Sequence, residues 1–458
     1  MQIEKILNYE YLKSITRDLG ELINIVTWLE EHKLLDNDCK LYYNSNGALP
    51  NTLFKKAERC IRENRHQISQ YRAPQSINYI IKLIEHDQKI RNQAFSIIDD
   101  ILKEQFKIIN CQKDIKSLEN STTKEIFYLE KEDNKYIILY FSILGKIHLP
   151  ENIPIDCVKT QLLGEEVFSA ILGEEKVALS VYPTLRDLNN SSKIKNNLVI
   201  QKFLNNYNSL ETIIKHKVTR EKGVEIYGKI LADIQKTAYG IYKMSKDINF
   251  RNRSLESLND YKDYVYLSDS NSFYIWMTKN SWISRKLNPS NYNNREVHNN
   301  EIDLNYEFLK LAKRSEMRIT NGGCISQLDL LPRNMLISQY GSFNYKLCDF
   351  EFVSYSDPAY DLGMAIYCIW IQSIRDEYVD ETKKLIELFL SSYIENFKII
   401  KNEFNLSIDI NEFYADAFKY GGFLLYGVTQ SDYRNRYEKY LDLAKTISLC
   451  YITDKFTI

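Results

Sequence analysis

Three short stretches of the sequence decide the fold. Residues 325–337 read ISQLDLLPRNMLI, residues 346–352 read KLCDFEF, and residues 357–362 read DPAYDL. Asp329 and Asn334 lie five positions apart in the first stretch, and an apolar segment separates them from Asp349. Such a segment predicts a strand that places Asp349 beside the loop. The stretches therefore predict a cluster of carboxylate and amide oxygens, which are the ligands that magnesium prefers.

This set of side chains meets the physical needs of phosphoryl transfer. One carboxylate must orient an attacking hydroxyl group and accept its proton. An amide oxygen and a second carboxylate must hold magnesium, because the ion neutralises charge on the transferring phosphoryl group. An Asp, an Asn and a further Asp in this order supply both functions.

The same stretches resemble the aminoglycoside phosphotransferase and choline kinase family. Its catalytic loop runs H-G-D-x-x-P-x-N or similar, followed by D-[FW]-E and a later D-P-x-x-D-L. The resemblance implies that Asp329 is the catalytic base and that Asn334 and Asp349 are magnesium ligands. It also implies that Asp361 is a buried acid that braces the loop by accepting its backbone hydrogen bonds. Glu351 completes the Asp-Phe-Glu form that is typical of this family.

The resemblance extends upstream and covers about residues 105–458. Residues 197–204, NLVIQKFL, are similar to the family's hinge strand, and residues 227–235, YGKILADIQ, are similar to its helix L-G-x-x-L-A-x-L-H. The resemblance implies a site for ATP (or GTP). The residues that we assign to nucleotide binding lie in the first loop, in the following helix and in the hinge strand: Ser121, Thr122, Thr123, Glu165, Glu166, Gln201 and Phe203.

The order of predicted elements is that of a kinase amino-terminal lobe followed by helices. Strands are predicted at 107–117, 124–130, 135–142, 176–182 and 197–204, with a helix over 157–171. Further helices are predicted at 221–239, 380–404, 411–425 and 432–451. The fold class is therefore α+β: a bilobal protein kinase-like fold with a five-stranded antiparallel amino-terminal lobe, a helical carboxy-terminal lobe and an amino-terminal α-helical extension.

Three regions follow from this order: a helical extension over 1–105, a nucleotide-binding lobe over 106–205, and a helical lobe over 206–458. In the extension, apolar residues recur every three or four positions from Leu12 to Leu29 and from Ile80 to Leu102. These stripes pack within the chain, or they form a surface for a protein partner or a homodimer. Both interpretations stay open at the level of sequence.

Two departures from the family pattern concern its loops. Gln327 occupies the position of the catalytic-loop His, and we assign it a supporting catalytic role because an amide also forms hydrogen bonds. The first loop, residues 118–123, contains no glycine, although loops that cover phosphates use glycine for close backbone approach. Its Ser and Thr hydroxyl groups replace some donors, or the loop is an ordinary polar turn.

A third departure concerns the third strand, which should carry a cation for the nucleotide phosphates. The expected position holds Leu139 or Tyr140 instead. Lys124, Lys135 and Lys146 are the candidates to replace the missing cation from neighbouring positions. The magnesium site thus matches the family better than the phosphate-binding lobe does.

Composition limits the remaining possibilities. Hydrophobic residues make up 44% and charged residues 26% of the 458 residues, and the formal net charge is -1. The sequence therefore predicts a cytoplasmic globular protein with no nucleic-acid or membrane partner. Eight scattered cysteines form no closely spaced metal or redox motif.

The resemblance implies a Mg²⁺-dependent ATP (or GTP):hydroxyl phosphotransferase that acts on a small molecule or on a peptide Ser/Thr. Aromatic residues in the region 245–305 are candidates for a quaternary-ammonium cage, and they are equally compatible with a hydrophobic core. The alternative function is that of a catalytically silent kinase-fold protein, a pseudokinase, which binds or scaffolds a partner.

Overall fold

A computed structural model describes the following residues: 18–43, 50–106, 115–120, 124–131, 134–141, 157–184, 187, 197–246, 270–281, 283–284, 303–322, 324–339, 344–404, 409–429 and 438–453. The chain divides into two compact units. The first comprises Met1–Ile153, Val181–Pro183 and Asn189–Phe203, and the second comprises Pro154–Ser180, Thr184–Leu188 and Leu204–Ile458. The three-region division made from the sequence stays a prediction.

Six helices are described in residues 18–106 of the first unit. They are α1 (Leu19–Glu31), α2 (Asn37–Tyr43), α3 (Pro50–Glu63), α4 (Arg65–Ile68), α5 (Gln75–Ser96) and α6 (Ile98–Phe106). The described parts of the predicted apolar stripes pack inside this unit, where Leu22, Val26 and Leu29 share one core with Ile80 and Ile84. The start of the first stripe, at Leu12, lies outside the described residues. Burial of these stripes favours packing within the chain over a partner surface.

A five-stranded sheet completes the first unit. Its strands are β1 (Ile115–Asn120), β2 (Lys124–Lys131), β3 (Asn134–Phe141), β4 (Ser180–Tyr182) and β5 (Leu198–Lys202), in the order β1-β2-β3-β5-β4. Strands β2 and β3 form a hairpin, in which Lys131 lies opposite Asn134. One sheet face packs against α5 and α6, because Phe127, Ile138 and Tyr140 share a core with residues such as Ile98 and Leu102.

Two predicted strands have different bounds in the structure. Strand β1 continues to Asn120, so half of the expected loop 118–123 is extended and paired with β2, whereas 107–114 and 121–123 lie outside the described residues. The strand expected over 176–182 is reduced to Ser180–Tyr182. The reason is that Glu174–Lys176 form a 3-10 turn and Ala178 N donates to Leu347 O at 2.8 Å, in the second unit.

The second unit is mostly helical. Its helices are α7 (Cys157–Leu172), α8 (Leu210–Lys215), α9 (Arg220–Lys246), α10 (Ser270–Ile275), α11 (Leu304–Gly322), α12 (Pro358–Arg375), α13 (Thr382–Phe404), α14 (Ile410–Thr429) and α15 (Leu441–Ile452). A π-helical turn spans Trp276–Asn280, and 3-10 turns span Glu174–Lys176, Pro332–Asn334, Val379–Glu381 and Glu438–Tyr440. Two small sheets hold the loops between these helices: β6 (Tyr207–Ser209) with β8 (Met335–Ser338) and β9 (Tyr345–Leu347), and β7 (Cys324–Ser326) with β10 (Ser354–Ser356).

The α+β fold class predicted from the sequence is confirmed, with a five-stranded antiparallel sheet and a mostly helical remainder. Helices α11 and α12 were not predicted. In α12 almost every residue is buried, so the helix lacks the polar face that reveals an amphipathic period. No helix among the described residues is both long and apolar enough to cross a membrane.

Helices α12 and α14 approach each other closely at Gly363. A Cβ atom added there would lie 2.5 Å from Ala417 O and 2.5 Å from Tyr420 Cβ. Neither the backbone carbonyl group nor the Cβ atom can move without separating the helices. Glycine is therefore required by packing at this position, despite its low helix propensity.

We predict that Gly363→Ala lowers the free energy of unfolding by about 1–3 kcal/mol, because overpacking outweighs the gain in helix propensity. Urea denaturation measures this change. Ser391→Ala on the exposed face of α13 is the control and should stay within about 0.5 kcal/mol of the native chain. Equal stability of Gly363→Ala and the native chain would show that the two helices can separate at no cost.

Candidate active site

The predicted catalytic loop runs from β7 to β8 and brings Asp329 and Asn334 into contact. Asn334 Nδ2 donates to Asp329 O at 2.9 Å and to Asp329 Oδ2 at 3.1 Å. The 3-10 turn Pro332–Asn334 makes this contact possible, since it shortens the path between the two residues. Pro332 also keeps the preceding residue extended, so the turn begins at a defined point.

Asp349 lies beside this loop because β8 and β9 form a hairpin. Met335 pairs with Leu347, and Cys348 N donates to Asn334 O at 3.0 Å. Asp349 itself has φ of 70°, in the left-handed region that a non-glycine residue rarely adopts. The surrounding contacts stabilise this unfavourable backbone, as is common at functional sites.

Gln327 joins the catalytic loop to the segment that carries Asp349. Its Nε2 donates to Asp349 O at 2.6 Å and also to Cys348 O, and the side chain is fully buried. The residue at the family's His position therefore positions the backbone. Neither contact involves a carboxylate oxygen of Asp329 or Asp349.

Asp361 braces the loop through a serine relay. Ser326 Oγ donates to Asp361 Oδ1 at 2.8 Å and accepts a hydrogen bond from Leu328 N at 3.0 Å. Leu328 has φ of 55°, so this relay supports a second left-handed residue of the loop. Burial raises the pKa of Asp361 to about 8, and the hydrogen bond from Ser326 acts in the opposite direction.

Tyr227 of α9 is a loop-supporting residue that sequence reasoning missed. Its hydroxyl group donates to Leu330 O at 2.7 Å and is fully buried. Tyr227 stands at the first position of the family's L-G-x-x-L-A-x-L-H pattern, which is aliphatic there. The polar group at an apolar position was the available signal.

Helix α7 contacts the Asp-Phe-Glu segment through Gln161. Gln161 Oε1 accepts from Phe350 N at 2.8 Å, and Gln161 Nε2 donates to Glu165 Oε1 at 2.7 Å. Ser180 N donates to Glu165 Oε2 at 2.7 Å, and Ser180 Oγ donates to Glu165 Oε1 at 2.6 Å. Three neutral donors thus surround the carboxylate of Glu165, which is fully buried.

The exposure of Glu166 and Glu351 indicates how each lies relative to the Asp-Phe-Glu segment. Glu166 is partly exposed on α7, and burial raises the pKa of its carboxyl group. Glu351 follows Phe350 and is 3% exposed, which agrees with a structural role. The structure therefore places Glu165, and not Glu166, in the hydrogen-bond network of the Asp-Phe-Glu segment.

The predicted nucleotide residues of the first unit are only partly described. Ser121, Thr122 and Thr123 lie outside the described residues. Gln201 in β5 pairs with Ile137 and is 8% exposed. Phe203 N donates to Lys135 O at 2.9 Å, which continues the β3–β5 pairing up to the residue where the first unit ends. The nucleotide-binding role of these residues stays a prediction.

A buried ion-pair network holds the start of α12, which carries Asp361. Asp357 caps the helix by accepting a hydrogen bond from Ala359 N at 3.0 Å, and it pairs with Arg318 Nε at 2.8 Å. Arg318 also contacts Asp416 of α14. Removing one partner of such a network leaves a buried charge without compensation, so the helix start is strongly specified. Sequence reasoning missed Arg318 because its partners are distant in the chain.

The residues present fit a magnesium ion by their chemistry. Both hydrogens of the Asn334 amide are directed to Asp329, so its oxygen is the group that can act as a ligand. Asp349 adds a partly exposed carboxylate. Among the described residues, no three His, Cys, Asp or Glu side chains form a metal cage. Magnesium commonly takes one or two protein ligands together with phosphates and water, which is the site predicted here.

Three of the aromatic residues considered for a cage lie among the described residues: Phe273, Tyr274 and Trp276. Phe273 is fully buried, and its ring centroid lies 5.7 Å from that of Trp276 and 6.2 Å from that of Tyr360. These contacts are those of a hydrophobic core, so they favour the core interpretation for Phe273.

We predict that Gln327→Glu destabilises the chain, because two carbonyl groups lose their donor and face a carboxylate. The expected loss is about 1–3 kcal/mol for each unsatisfied buried group, measured by urea denaturation. Gln339→Glu is the matched control, since Gln339 is exposed and its amide contacts Asn208 at the surface. Equal effects of the two substitutions would contradict the role assigned to Gln327.

We also predict that Asp361 makes stability fall as pH rises. The unfolded chain loses this proton near the ordinary pKa of 3.8, and the folded chain loses it only near 8. Between these values the folded state holds the extra proton, so the free energy of unfolding declines by up to about 1.4 kcal/mol per pH unit. Asp361→Asn should flatten this decline in denaturation curves recorded from pH 4 to 8. Asp442→Asn, at an exposed position, should keep the native slope.

A comparison with solved structures found several that are similar to this chain. The structure is similar to an ethanolamine kinase of Plasmodium vivax (16% identity, TM-score 0.43), over 86% of this chain and 96% of that one. It is also similar to the choline kinase LicA of Streptococcus pneumoniae (14% identity, TM-score 0.41), over 78% of this chain and 98% of that one.

A third similar structure is the spectinomycin phosphotransferase APH(9)-Ia in complex with ADP and spectinomycin. Identity is 15% and the TM-score 0.37, over 79% of this chain and 94% of that one. No family model and no curated protein sequence matches the chain. The case for function depends on the geometry described above.

Proposed function

We propose that the chain is a magnesium-dependent phosphotransferase that transfers a phosphoryl group from ATP (or GTP) to a hydroxyl group. The acceptor is a small molecule or a peptide Ser/Thr. The observation that supports this proposal is the direct contact between Asp329 and Asn334, linked by Gln327 to the backbone of Asp349. This arrangement keeps a proton acceptor and two oxygen ligands in one supported loop system.

Asp329 acts on the acceptor. Asn334 Nδ2 contacts Asp329 Oδ2 and so limits the rotation of the carboxylate. The oriented carboxylate accepts the proton of the acceptor hydroxyl as its oxygen attacks the γ-phosphorus. The bond from that phosphorus to the bridging oxygen breaks, and the nucleoside diphosphate leaves with the bonding electrons.

Asn334 Oδ1 and Asp349 would hold the magnesium ion, whose charge neutralises the transferring phosphoryl group when it is bound. Tyr227 and the Ser326–Asp361 relay act on the backbone of the loop and have no direct chemical role. Their contribution is to keep Asp329 in one orientation, which matters because small displacements at a catalytic group are costly for the rate.

Cys39, Cys60, Cys368 and Cys450 are free thiols. This is the state expected in the reducing cytoplasm, and we therefore retain the cytoplasm as the proposed location.

A catalytically silent kinase-fold protein is the second candidate, and one observation favours it. Tyr140 of β3 is fully buried, and its hydroxyl group contacts the carbonyl of Asp87 at 3.4 Å. Leu139 faces the opposite side of the sheet. Neither residue at the expected position supplies a positive charge for phosphates.

We predict that ATP or GTP raises the melting temperature of the native chain only when magnesium is present. Asp349→Ala should lose this magnesium-dependent shift, because it removes a carboxylate ligand. Asp380→Ala, outside the loop, is the control and should keep the shift. A native chain without any magnesium-dependent shift would contradict the phosphotransferase proposal.

A second variant separates binding from catalysis. Asp329→Asn should retain the thermal shift and abolish phosphoryl transfer, which is measured by mass spectrometry on pooled metabolites and Ser/Thr peptides. If the native chain binds nucleotide but phosphorylates nothing in either pool, the silent kinase-fold protein becomes the better description.

A further inference from the structure

We propose that Gln161 of α7 is a positioning residue for Asp349, because it fixes the peptide group that follows Asp349 and so holds the carboxylate in the orientation that binds magnesium. This inference rests on the proposed function, since it concerns the proposed magnesium ligand. Gln161 was not among the site residues predicted from the sequence, because it lies 189 positions before its partner Phe350.

Two glutamines hold opposite sides of the peptide group between Asp349 and Phe350. Gln327 Nε2 donates to Asp349 O at 2.6 Å. Gln161 Oε1 accepts from Phe350 N at 2.8 Å. The carbonyl and the N–H belong to one planar group, so the two contacts together fix the orientation of that plane. Rotation of the plane would change ψ of Asp349 and would break both hydrogen bonds.

The backbone at Asp349 needs this support. Its φ of 70° lies in the left-handed region, which is unfavourable for a residue that has a Cβ atom. Such a conformation persists only where the surrounding contacts over-determine it. The direction of the Asp349 side chain depends on this backbone conformation, so the two glutamines together determine where the carboxylate lies.

The contacts of Gln161 suit the chemistry of an amide. Phe350 N can only donate, and the carboxylate of Glu165 accepts from Gln161 Nε2 at 2.7 Å. The side chain must therefore present an acceptor to one neighbour and a donor to the other, which an amide does without carrying a charge. Gln161 is fully buried, so the loss of either contact would leave a buried polar group unsatisfied.

The face of α7 that carries Gln161 also packs on Phe350. Gly164 lies three positions later, where an added Cβ atom would collide with Phe350 Cβ. Phe168 lies four positions further along, and its ring centroid is 5.2 Å from that of Phe350. Positions three, four and seven apart share one helix face, so this packing brings the amide of Gln161 to the backbone of Phe350.

The test measures nucleotide affinity by isothermal titration calorimetry, once in magnesium and once in EDTA. ATP and GTP are each titrated into the native full-length chain and into Gln161→Met, whose unbranched side chain fills similar space but makes neither hydrogen bond. We expect the ratio of the two affinities, which reports the contribution of magnesium, to fall at least about fivefold in Gln161→Met. Affinity in EDTA should stay unchanged, because Gln161 acts through Asp349.

Tyr451→Phe is the matched control for a loss of stability. The hydroxyl group of Tyr451 in α15 accepts from Trp370 Nε1 in α12 at 3.0 Å, and both residues are buried. Urea denaturation should show a loss of stability for Tyr451→Phe as well as for Gln161→Met. Only Gln161→Met should change the magnesium ratio, since a merely structural contact has no means of changing it.

An exchange variant provides the rescue. Gln161→Glu combined with Glu165→Gln keeps an acceptor for Phe350 N, keeps an amide between the two positions and keeps the net charge. It should retain most of the native magnesium ratio. If Gln161→Met does not fold, this variant still tests the proposal, because a folded exchange variant that has lost the ratio would contradict it.

Each other result overturns the proposal in a distinguishable way. If the native chain binds nucleotide more tightly in magnesium and Gln161→Met keeps the same ratio, the role of Gln161 is wrong and the proposed function stands. If Gln161→Met weakens binding equally in magnesium and in EDTA, or if Tyr451→Phe lowers the ratio as much, Gln161 is only a structural residue of α7. If the native chain shows no effect of magnesium, this inference and the proposed function both fail.

Discussion

The side-chain amide of Gln327 donates hydrogen bonds to two consecutive carbonyl groups, those of Cys348 and Asp349. A carbonyl buried without a donor is costly, so this single side chain determines how the catalytic loop lies against the strand end. The contact of Asn334 with Asp329 and the left-handed backbone of Asp349 depend on that position. Tyr227 and the start of α12, which carries Asp361, support the same loop.

Spacing in the sequence was sufficient to predict the meeting of Asp329 and Asn334, since a short turn and a hairpin leave few alternatives. The order of strands and helices also predicted the α+β class, because alternation and helical period are local signals. The supporting contacts were less accessible. Arg318 and Ser180 act through partners far away in the chain, and no local pattern reveals such contacts. Tyr227 did carry a local signal, namely a polar group at an apolar position of the helix pattern. Helix α12 was not predicted for a related reason. Almost all of its residues are buried, so it has no polar face that contrasts with its core face.

The last part of the helical extension and the sheet share one hydrophobic core, so the extension is more than an appended docking module. Ile98 and Leu102 pack with Phe127 and Ile138 and cover one face of the sheet. Arg91 of α5 also pairs with Glu125 of β2 at 3.1 Å. Removing the extension would expose this apolar face to water, so the extension is a structural component of the sheet whatever else it binds.

Gly164 of α7 lies against the Asp-Phe-Glu segment, where an added Cβ atom would come within 2.4 Å of Phe350 Cβ and 2.5 Å of Val353 Cγ2. Such close backbone approach leaves no gap across which the helix can slide. The helix and the segment therefore cannot shift past one another without a change in this packing. An outward displacement of α7 would therefore also act on the segment that carries Asp349, the proposed magnesium ligand.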